Sequence, residues 1–575
     1  MSSSSFLSPR ALAGLAVAVV FATLCFRLGH LPLIQPDEGR NAEVGREMKT
    51  SGAWLVPTYN GVDYLDKPAF YFKAVALSLA AFGDNETAAR LPSCAFGLGL
   101  LGLVFAFGQR LHGRRTALLA VIVVATMPLF LANARTVIFD IALAFFVCGA
   151  IFAGYLAEQS DGRARRNWYL LGAAAAGFAT LVKGPVGFLL PTLVLLIFHR
   201  VEGRRGVLRR FFAPLNLLVF FAVTLPWFVG LCLVHRDFLH YGLIEESFNR
   251  FTSAKKFHRS EPFYFYLLIV AATFLPWSVL LPEAGVKTWQ QRWAKHPADR
   301  LCLVWSVTII LFFSISQSKL PGYILTVTVA CGILVARLFD AALANPSGQA
   351  ARLVGRAAAA FGAGCLVAAL IVAVGAAQAV KLAAPLRIPV ADAERLGQCA
   401  RPLVLLLAGF GVAGWVAYFR RRAALSFLCL ALFAPLFVIV NLGVFDVVFD
   451  AKSARTLARQ LPALPPGTEL ACLQCYPNGL PFYLGRTATL ITKDGGELTS
   501  NYILFGLTKP SPWPTNLVPV ADFSKWLGTR RTPVCLIVRT EDRTKAETLA
   551  TARGVPVQTL TQKYLCVLLP TPKDP

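Results

Sequence analysis

Residues 11–27 read ALAGLAVAVVFATLCFR, and a polar interval follows that opens with PDEGR at Pro36–Arg40 and closes with LDKP at Leu65–Pro68. Apolar segments of about 18 or more residues then recur along most of the chain, and each can cross a hydrocarbon core about 30 Å thick. The alternation of barrel strands is absent from the sequence, so the pattern predicts a bundle of membrane-spanning helices.

The composition supports a membrane protein. Of the 575 residues, 56% are hydrophobic and 15% are charged, and the mean hydropathy is +0.58, which is too apolar for a soluble protein of this length. The net charge of +25 comes mostly from basic clusters beside apolar segments, so we do not interpret it as nucleic-acid binding. No small-residue cleavage site follows the first run, which we predict to be an uncleaved span.

The apolar runs and the basic loops together predict a topology. We predict thirteen spans, at about 10–28, 90–111, 116–133, 138–157, 167–182, 185–199, 209–233, 263–284, 300–315, 321–340, 353–378, 401–419 and 423–441. The shorter apolar segment 69–82 is predicted to lie at the interface. Basic clusters occupy alternate connections, at 110–115, 163–166, 200–210, 287–300, 352–356 and 420–422, and predict the cytoplasmic side. The polar interval after the first span and the chain after residue 442 then lie on the opposite side.

The composition changes near Phe445. Hydrophobic runs of strand length follow, at Glu469–Leu473, Thr487–Ile491, Val534–Val538 and Tyr564–Leu569, with helix-like stretches between them. We therefore predict a mainly α fold in two domains: 1–444, a membrane helix bundle with juxtamembrane helices at about 36–89, and 445–575, a small α/β domain outside the cytoplasm.

One local cysteine pair falls in the second domain. Most of the 13 cysteines lie inside apolar segments, where a thiol behaves as a small hydrophobe. The pair Cys472 and Cys475 could be redox-active, metal-binding or incidental, and with no second Cys or His pair nearby an incidental pair or a disulfide is favoured over metal.

Charged residues gather on the predicted non-cytoplasmic face. Asp37 and Glu38 follow the first span, and Asp140 lies in the next loop on that face; carboxylates of this kind can serve as a general base, as metal ligands or as binders of a sugar amine or hydroxyl. Arg40 and Lys67 supply the multi-donor group and the point charge that a phosphate needs. The set suits transfer from a phosphate-linked donor, and on this face a lipid-linked donor fits better than a soluble nucleotide.

Two further features of this face, a lysine at the end of an apolar run and a basic loop, can each be interpreted in two ways. Lys183 ends an apolar run and could either face an internal cavity or extend to the interface. The loop from His235 to Pro262 carries an excess of basic residues, which indicates either an anionic ligand or contact with ordinary anionic head groups.

The motifs resemble a known family. Pro36-Asp37-Glu38, Asp66-Lys67-Pro68-Ala69 and the stretch ETAARLP at 86–92 resemble the membrane-embedded glycosyltransferases of the C-type fold that use polyprenyl-phosphate sugars, a group that includes protein O-mannosyltransferases. The stretch SKLPGYIL at 318–325, with Lys183-Gly184-Pro185, is most similar to the bacterial aminoarabinose transferases that modify lipid A.

The resemblance implies a reaction and a set of site residues. The reaction is transfer of 4-amino-4-deoxy-L-arabinose from undecaprenyl phosphate to a lipid A phosphate on the periplasmic face of the bacterial inner membrane, which confers resistance to polymyxin and other cationic antimicrobial peptides. The implied residues are Asp37 with Glu38 and Asp140 as catalytic carboxylates, Arg40, Lys67, Lys319 and Tyr323 at the donor phosphate, and Asp66 and His258 as ligands of a possible divalent metal. The family often has Glu where this chain has Asp66.

The acceptor decides what Asp37 has to do. A lipid A phosphate is already ionised at neutral pH, so Asp37 would position the acceptor or bind the sugar amine, whereas a hydroxyl acceptor would require it to take a proton. A protein or glycan hydroxyl is therefore the main alternative acceptor. A lipid or sugar transporter is a further alternative, disfavoured because the sequence lacks two related halves.

Overall fold

The computed structural model describes residues 8–249, 261–290, 296–383, 385, 389–508 and 512–571, and it is mainly helical, as the sequence predicts. The α-helices of the described residues are α1 (Pro9–Val20), α2 (Asp37–Ser51), α3 (Phe70–Phe82), α4 (Glu86–His112), α5 (Arg114–Ala125), α6 (Pro128–Ala134), α7 (Asp140–Ala157), α8 (Gly162–Lys183), α9 (Val186–Val201), α10 (Val207–Phe211), α11 (Pro214–Val234), α12 (Phe238–His240), α13 (Phe265–Thr273), α14 (Leu281–Gln290), α15 (Pro297–Ile315), α16 (Val327–Ala344), α17 (Gln349–Ala377), α18 (Ala379–Ala383), α19 (Val390–Phe419), α20 (Ala423–Val440), α21 (Leu442–Ala451), α22 (Arg455–Gln460), α23 (Leu480–Leu484), α24 (Asn501–Leu507), α25 (Phe523–Gly528) and α26 (Arg543–Arg553). Segments Phe21–Cys25 and Tyr241–Asn249 are π-helical, and Pro321–Ile324 is a 3₁₀ turn.

The membrane bundle is built from the apolar helices. In the described part of the chain, eight helices are long and apolar enough to span a membrane, or up to ten if two bent pairs each count as one span. The bends lie between α5 and α6, at 72°, and between α13 and the helical segment at 277–286, at 113°. Ten of the thirteen predicted apolar runs fall on these helices and bent pairs, and the other three fall on α1, α8 and α9. The polytopic helix bundle is confirmed. The count of thirteen spans stays a prediction.

The predicted basic loops meet at one end of the bundle. Ion pairs join different connections there, between Arg115 and Asp340, Arg210 and Glu158, and Arg300 and Glu202. The guanidinium groups of Arg210 and Arg300 each donate to both oxygens of their carboxylate partner, a geometry that fixes orientation as well as charge. The connections that contain residues 163–166, 200–210 and 287–300 are therefore linked to one another, and the connection at 110–115 is linked to the end of α16.

The C-terminal region forms a six-stranded mixed sheet with the order β5-β4-β3-β6-β8-β7. Its strands are β3 (Glu469–Leu473), β4 (Thr489–Thr492), β5 (Leu517–Pro519), β6 (Val534–Arg539), β7 (Val557–Thr559) and β8 (Tyr564–Leu569), numbered after the hairpin strands β1 (Thr58–Tyr59) and β2 (Val62–Asp63). Strands β3 to β6 pair in parallel, and β8 runs antiparallel to both β6 and β7. The predicted α/β domain is confirmed. Cys472, on β3, and Cys475 are buried free thiols in it.

The polar interval after the first helix packs against this C-terminal domain. Ile34, just before the interval, forms a β-bridge with Ser453, and Tyr59 within it donates to the side chain of Asn478 at 2.7 Å. Since the two regions touch, the chain must cross the membrane an even number of times between them. The twelve runs predicted between residues 90 and 441 meet this condition. If α3 were a further span, the number of crossings would be thirteen, which is odd and does not meet it.

Local chemistry fixes the shape of this interval. The two-residue turn of the β1–β2 hairpin is Asn60-Gly61, and both residues have positive φ, 56° and 69°, as a type I′ turn requires. The Glu47 carboxylate of α2 accepts hydrogen bonds from the backbone N–H groups of both turn residues, at 2.6 and 3.0 Å. The hairpin is thereby fastened to α2, the helix that carries the first candidate site residues.

Candidate active site

The two adjacent carboxylates at the start of α2 have different surroundings. The Asp37 side chain is 55% exposed, and its Oδ1 accepts a hydrogen bond from Arg40 Nη2 at 2.6 Å. The Glu38 side chain is only 2% exposed. Asp37 can therefore meet a ligand in the open space beside α2, and Glu38 cannot without rearrangement of the protein.

Glu38 makes structural contacts through both of its carboxylate oxygens, and its catalytic role stays a prediction. Its two oxygens accept hydrogen bonds from Arg90 Nε and Nη2, both at 2.9 Å, and from the backbone N–H groups of Ile34 and Val137, both at 3.0 Å. Arg90 is buried as well, and it also donates to the backbone carbonyls of residues 28, 31 and 32. With both oxygens engaged, Glu38 joins α2, α4 and the loop before α7.

Arg40 links Asp37 to the C-terminal domain. Its Nη1 donates to the backbone oxygen and the hydroxyl of Thr499, at 2.9 and 2.7 Å, and its guanidinium lies 5.8 Å from the centre of the Tyr64 ring. Burial works against the charge, but the neighbouring Tyr64, Asp37 and Asp66 outweigh it and raise the pKa of Arg40. Arg40 is therefore a fixed cation beside an exposed carboxylate.

A second ion pair lies where α7 begins and α8 ends. The Lys183 ammonium donates to Oδ1 of Asp140 and stands 4.7 Å from the centre of the Tyr323 ring. A Cβ placed on Gly322 would lie 3.5 Å from the Asp140 carboxyl carbon, so the 3₁₀ turn approaches this pair closely. The structure thus brings together Asp140, Lys183 and Tyr323, and the Lys183 side chain is largely enclosed by the protein, at 13% exposure.

The third ion pair joins Lys67 to a residue that the sequence did not single out. The Lys67 ammonium donates to the Glu246 carboxylate and to the backbone oxygen of Asp66. It also lies 5.9 Å from the centre of the Phe139 ring, and the ammonium of Lys183 lies 5.3 Å from the same centre. Phe139 therefore holds the Lys67 and Lys183 pairs next to each other. Glu246 was missed because only the basic residues of its loop stood out from the sequence.

Asp66 connects the polar interval to the C-terminal domain. Its Oδ1 accepts from the Tyr241 hydroxyl at 2.8 Å and from the Tyr502 N–H at 2.7 Å, and its Oδ2 accepts from the Asn501 N–H at 3.1 Å. Burial and the neighbouring Asp66 charge raise the pKa of Tyr241, which keeps its hydroxyl protonated as a donor. Asp66 thus accepts hydrogen bonds from two backbone N–H groups in the first turn of α24, where N–H groups have no partner within the helix.

These contacts bear on the possible metal site. Both Asp66 oxygens are already occupied by protein donors, and His258 lies outside the described residues. Within the described ranges, no three His, Cys, Asp or Glu side chains are grouped so that they could hold a metal ion. Asp66 as arranged does not fit a metal ligand.

Lys319 lies on the segment that leads into the 3₁₀ turn. Its side chain is buried, and its ammonium donates to the backbone oxygen of Ser316 at 2.6 Å. The next residue of the segment, Leu320, exchanges hydrogen bonds with the Tyr266 hydroxyl. These contacts hold the segment that presents Tyr323 to the Asp140 pair, and the role of Lys319 at a donor phosphate stays a prediction.

Comparison with known proteins agrees with the architecture. Residues 66–229 match the family described as dolichyl-phosphate-mannose-protein mannosyltransferase. The crystal structure of ArnT from Cupriavidus metallidurans bound to undecaprenyl phosphate superposes with a TM-score of 0.80 at 28% identity, over 99% of this chain and 98% of that one. Its apo state gives a TM-score of 0.78 at 28% identity, over 97% of each chain. The likeness over almost the whole chain and the matched family model support a membrane-embedded glycosyltransferase.

The particular relatives are arabinosyl transferases. The undecaprenyl phosphate-alpha-4-amino-4-deoxy-L-arabinose arabinosyl transferase of Aeromonas salmonicida is 28% identical over 526 residues, which cover 89% of this chain and 91% of that protein. The protein of the same name from Erwinia tasmaniensis is 33% identical over 308 residues, 53% of this chain and 55% of that protein. The chain is a homologue of these transferases, so the resemblance seen in the motifs is confirmed.

Proposed function

We propose that the protein transfers 4-amino-4-deoxy-L-arabinose from undecaprenyl phosphate to a phosphate group of lipid A at the periplasmic face of the bacterial inner membrane. The observation that carries the proposal is the likeness, over almost the whole chain, to a transferase structure that holds undecaprenyl phosphate. Addition of a cationic sugar lowers the negative charge of lipid A, which weakens the attraction of polymyxin and other cationic peptides.

Three ion pairs at one end of the bundle support this chemistry. Asp37–Arg40, Lys67–Glu246 and Asp140–Lys183 offer several cations near one another, as a site for two phosphate-bearing lipids requires. We assign the donor phosphate to Lys67 and Arg40, with Tyr323 beside the neighbouring Lys183. The polyprenyl tail would then lie along the apolar helices.

The transfer proceeds by displacement at the anomeric carbon. An oxygen of the acceptor phosphate attacks this carbon, and the bond from the carbon to the undecaprenyl phosphate oxygen breaks with its electron pair. The departing phosphate gains a negative charge, and fixed cations such as Lys67 and Arg40 stabilise that charge as it develops. The acceptor oxygen is already ionised near neutral pH, so no proton has to be removed.

The exposed carboxylates act by positioning. Asp37 is held at 2.6 Å by Arg40 with half of its side chain accessible, so it can orient the acceptor or receive the ammonium group of the sugar. Asp140 is fixed by Lys183 on the neighbouring helix end, and we assign it to the same reaction space. Their fixed orientation supplies the near-attack geometry on which such a transfer depends.

The orientation and the domain division belong to the same proposal. The connections that gather at the basic end are rich in Lys and Arg, as cytoplasmic loops are, and they lie opposite the three ion pairs in the predicted topology. We therefore assign the ion pairs and the domain 445–575 to the periplasm. A C-terminal tag that reacts with a membrane-impermeant label in spheroplasts supports this orientation, and one that reacts only after lysis contradicts it.

A hydroxyl acceptor is the second candidate, because the matched family model describes protein mannosyltransferases. In that reaction Asp37 would have to take the proton of the attacking hydroxyl. Mass spectrometry of lipid A from cells with and without the protein distinguishes the two. A pentosamine added to lipid A supports the first candidate, and a modified protein or glycan with unchanged lipid A supports the second.

The site assignment is tested in the same cells with matched variants. Asp37→Asn and Lys67→Ala should abolish lipid A modification while the protein still inserts, and Asp522→Asn and Lys525→Ala, at exposed positions of the C-terminal domain, should retain it. Full modification by both site variants would remove Asp37 and Lys67 from the site.

A further inference from the structure

Lys67, the lysine assigned to the donor phosphate, is paired with a carboxylate of the protein itself. Its ammonium contacts Glu246 Oε1, and both side chains are nearly enclosed, 10% and 12% exposed. The other Glu246 oxygen accepts from the Asn501 side chain at 3.3 Å. A phosphate that binds Lys67 therefore enters a place where a negative charge already sits.

Displacing Glu246 has an energetic consequence. Breaking an enclosed ion pair costs free energy, because the desolvation of its carboxylate is then less well compensated. Binding of a donor that supplied only a phosphate would cost Glu246 its ion pair with Lys67. A donor that also supplied a cation could give Glu246 a new partner, and the charges of the site would remain balanced.

The donor in the proposed reaction carries both charges. Its phosphate is anionic, and the amine at position 4 of its sugar is cationic at neutral pH. We propose that Glu246 is the specificity-determining residue for the aminated sugar: it exchanges the Lys67 ammonium for the sugar ammonium when Lys67 takes the phosphate. This inference rests on the proposed function and assigns the part of the site that selects the amine.

The position of Glu246 in the chain suits such an exchange. It lies on the π-helical segment Tyr241–Asn249, and π-helical turns are frequent at functional sites. The first residue of this segment is fixed, because Tyr241 donates to Asp66, the residue before Lys67. Glu246 follows five positions later, so a local change of this segment can move its carboxylate while the anchor at Asp66 holds.

The exchange discriminates between sugars by charge. With a neutral sugar, Glu246 competes with the donor phosphate for Lys67, and the sugar offers no ammonium group to form a new ion pair with Glu246. With the aminated sugar, one ion pair is replaced by two. Removal of the Glu246 charge should therefore have opposite effects on the two kinds of lipid: it should favour phosphate lipids without an amine and remove the advantage of the aminated donor.

The test uses the full-length purified protein in nanodiscs and compares Glu246→Gln with wild type. Binding of undecaprenyl phosphate, which has no amine, should tighten about tenfold, because loss of a competing ion pair worth about 1.4 kcal/mol corresponds to that factor. The ratio of kcat/KM for the undecaprenyl-phosphate-linked 4-amino sugar to that for its 4-hydroxy analogue should fall about tenfold or more by the same relation.

Two further variants keep the test interpretable. Glu246→Asp retains the charge and should keep most of the preference for the aminated donor, which separates loss of charge from loss of folding. Glu541→Gln, an exposed change in the C-terminal domain, should leave both measurements as in wild type.

The possible outcomes distinguish failure of the proposed exchange from failure of the proposed function. Unchanged preference for the aminated donor in Glu246→Gln, or binding of undecaprenyl phosphate that is unchanged or weaker, overturns the exchange while the proposed function stands. Transfer of neither sugar by the wild-type protein to lipid A overturns the proposed function itself.

Discussion

Exchanging each of the two adjacent carboxylates of α2 for its amide should separate catalysis from folding. Glu38→Gln places an amide where two N–H groups of Arg90 and two of the main chain now find acceptors. The buried guanidinium is left without a counter-ion, so we expect a loss of about 3–5 kcal/mol in the free energy of unfolding.

Asp37→Asn changes an ion pair whose carboxylate is half exposed. Such a pair contributes about 0–1 kcal/mol to stability, and Arg40 keeps its two hydrogen bonds to Thr499. The variant should therefore fold like wild type. Its transfer rate should fall about 100-fold or more, the usual loss when a charge aimed at the reacting groups is removed.

Both variants can be measured on the purified protein in detergent. Thermal and denaturant unfolding give stability, gel filtration gives the folded fraction, and transfer is normalised to folded protein. The assignment is refuted if Glu38→Gln is as stable as wild type, or if Asp37→Asn transfers at the wild-type rate. Loss of stability in Asp37→Asn as large as that in Glu38→Gln would equally refute it.

Further predictions concern the contacts around this site. Asp66→Asn should lower the free energy of unfolding by about 1–3 kcal/mol through unsatisfied donors and speed proteolytic release of the C-terminal domain; unchanged proteolysis would contradict this. Gly39→Ala should destabilise by about 1–3 kcal/mol through overpacking, because its Cβ would lie 2.6 Å from the Cα of a facing glycine. Gly14→Ala, with open space around it, should melt like wild type. Asp140→Asn should lower kcat about 100-fold or more at an unchanged yield of folded protein; a loss explained by poor folding alone would contradict its role.

The bundle could be predicted from the sequence because a spanning helix is a local property. About 20 apolar residues in a row satisfy their backbone within the segment and their side chains in lipid, so α4, α7 and α15 can be read without knowledge of their neighbours. Whether short or charged runs such as α1 and α8 cross the membrane depends on helices beside them, which the local composition does not reveal.

The roles of adjacent charged residues could not be predicted in the same way. Asp37 and Glu38 are both carboxylates in the first turn of one helix, and successive side chains on a helix point about 100° apart. Which of them becomes buried depends on Arg90, which lies 52 positions along the chain from Glu38. The pairing of Lys67 with Glu246 spans 179 positions, and no motif signals it.

The arrangement of paired charges explains why this end of the bundle is polar. An enclosed ion pair adds little to stability, and well-packed apolar residues of similar volume often serve as well or better. Asp140–Lys183 and Lys67–Glu246 are each nearly enclosed, so stability alone does not account for them. A protein that admits a phosphate and an ammonium into the same space needs fixed charges of both signs that can change partners, and paired side chains keep these charges compensated until the lipids arrive. The enclosed pairs are thus better explained by the charges of the substrates than by the stability of the fold.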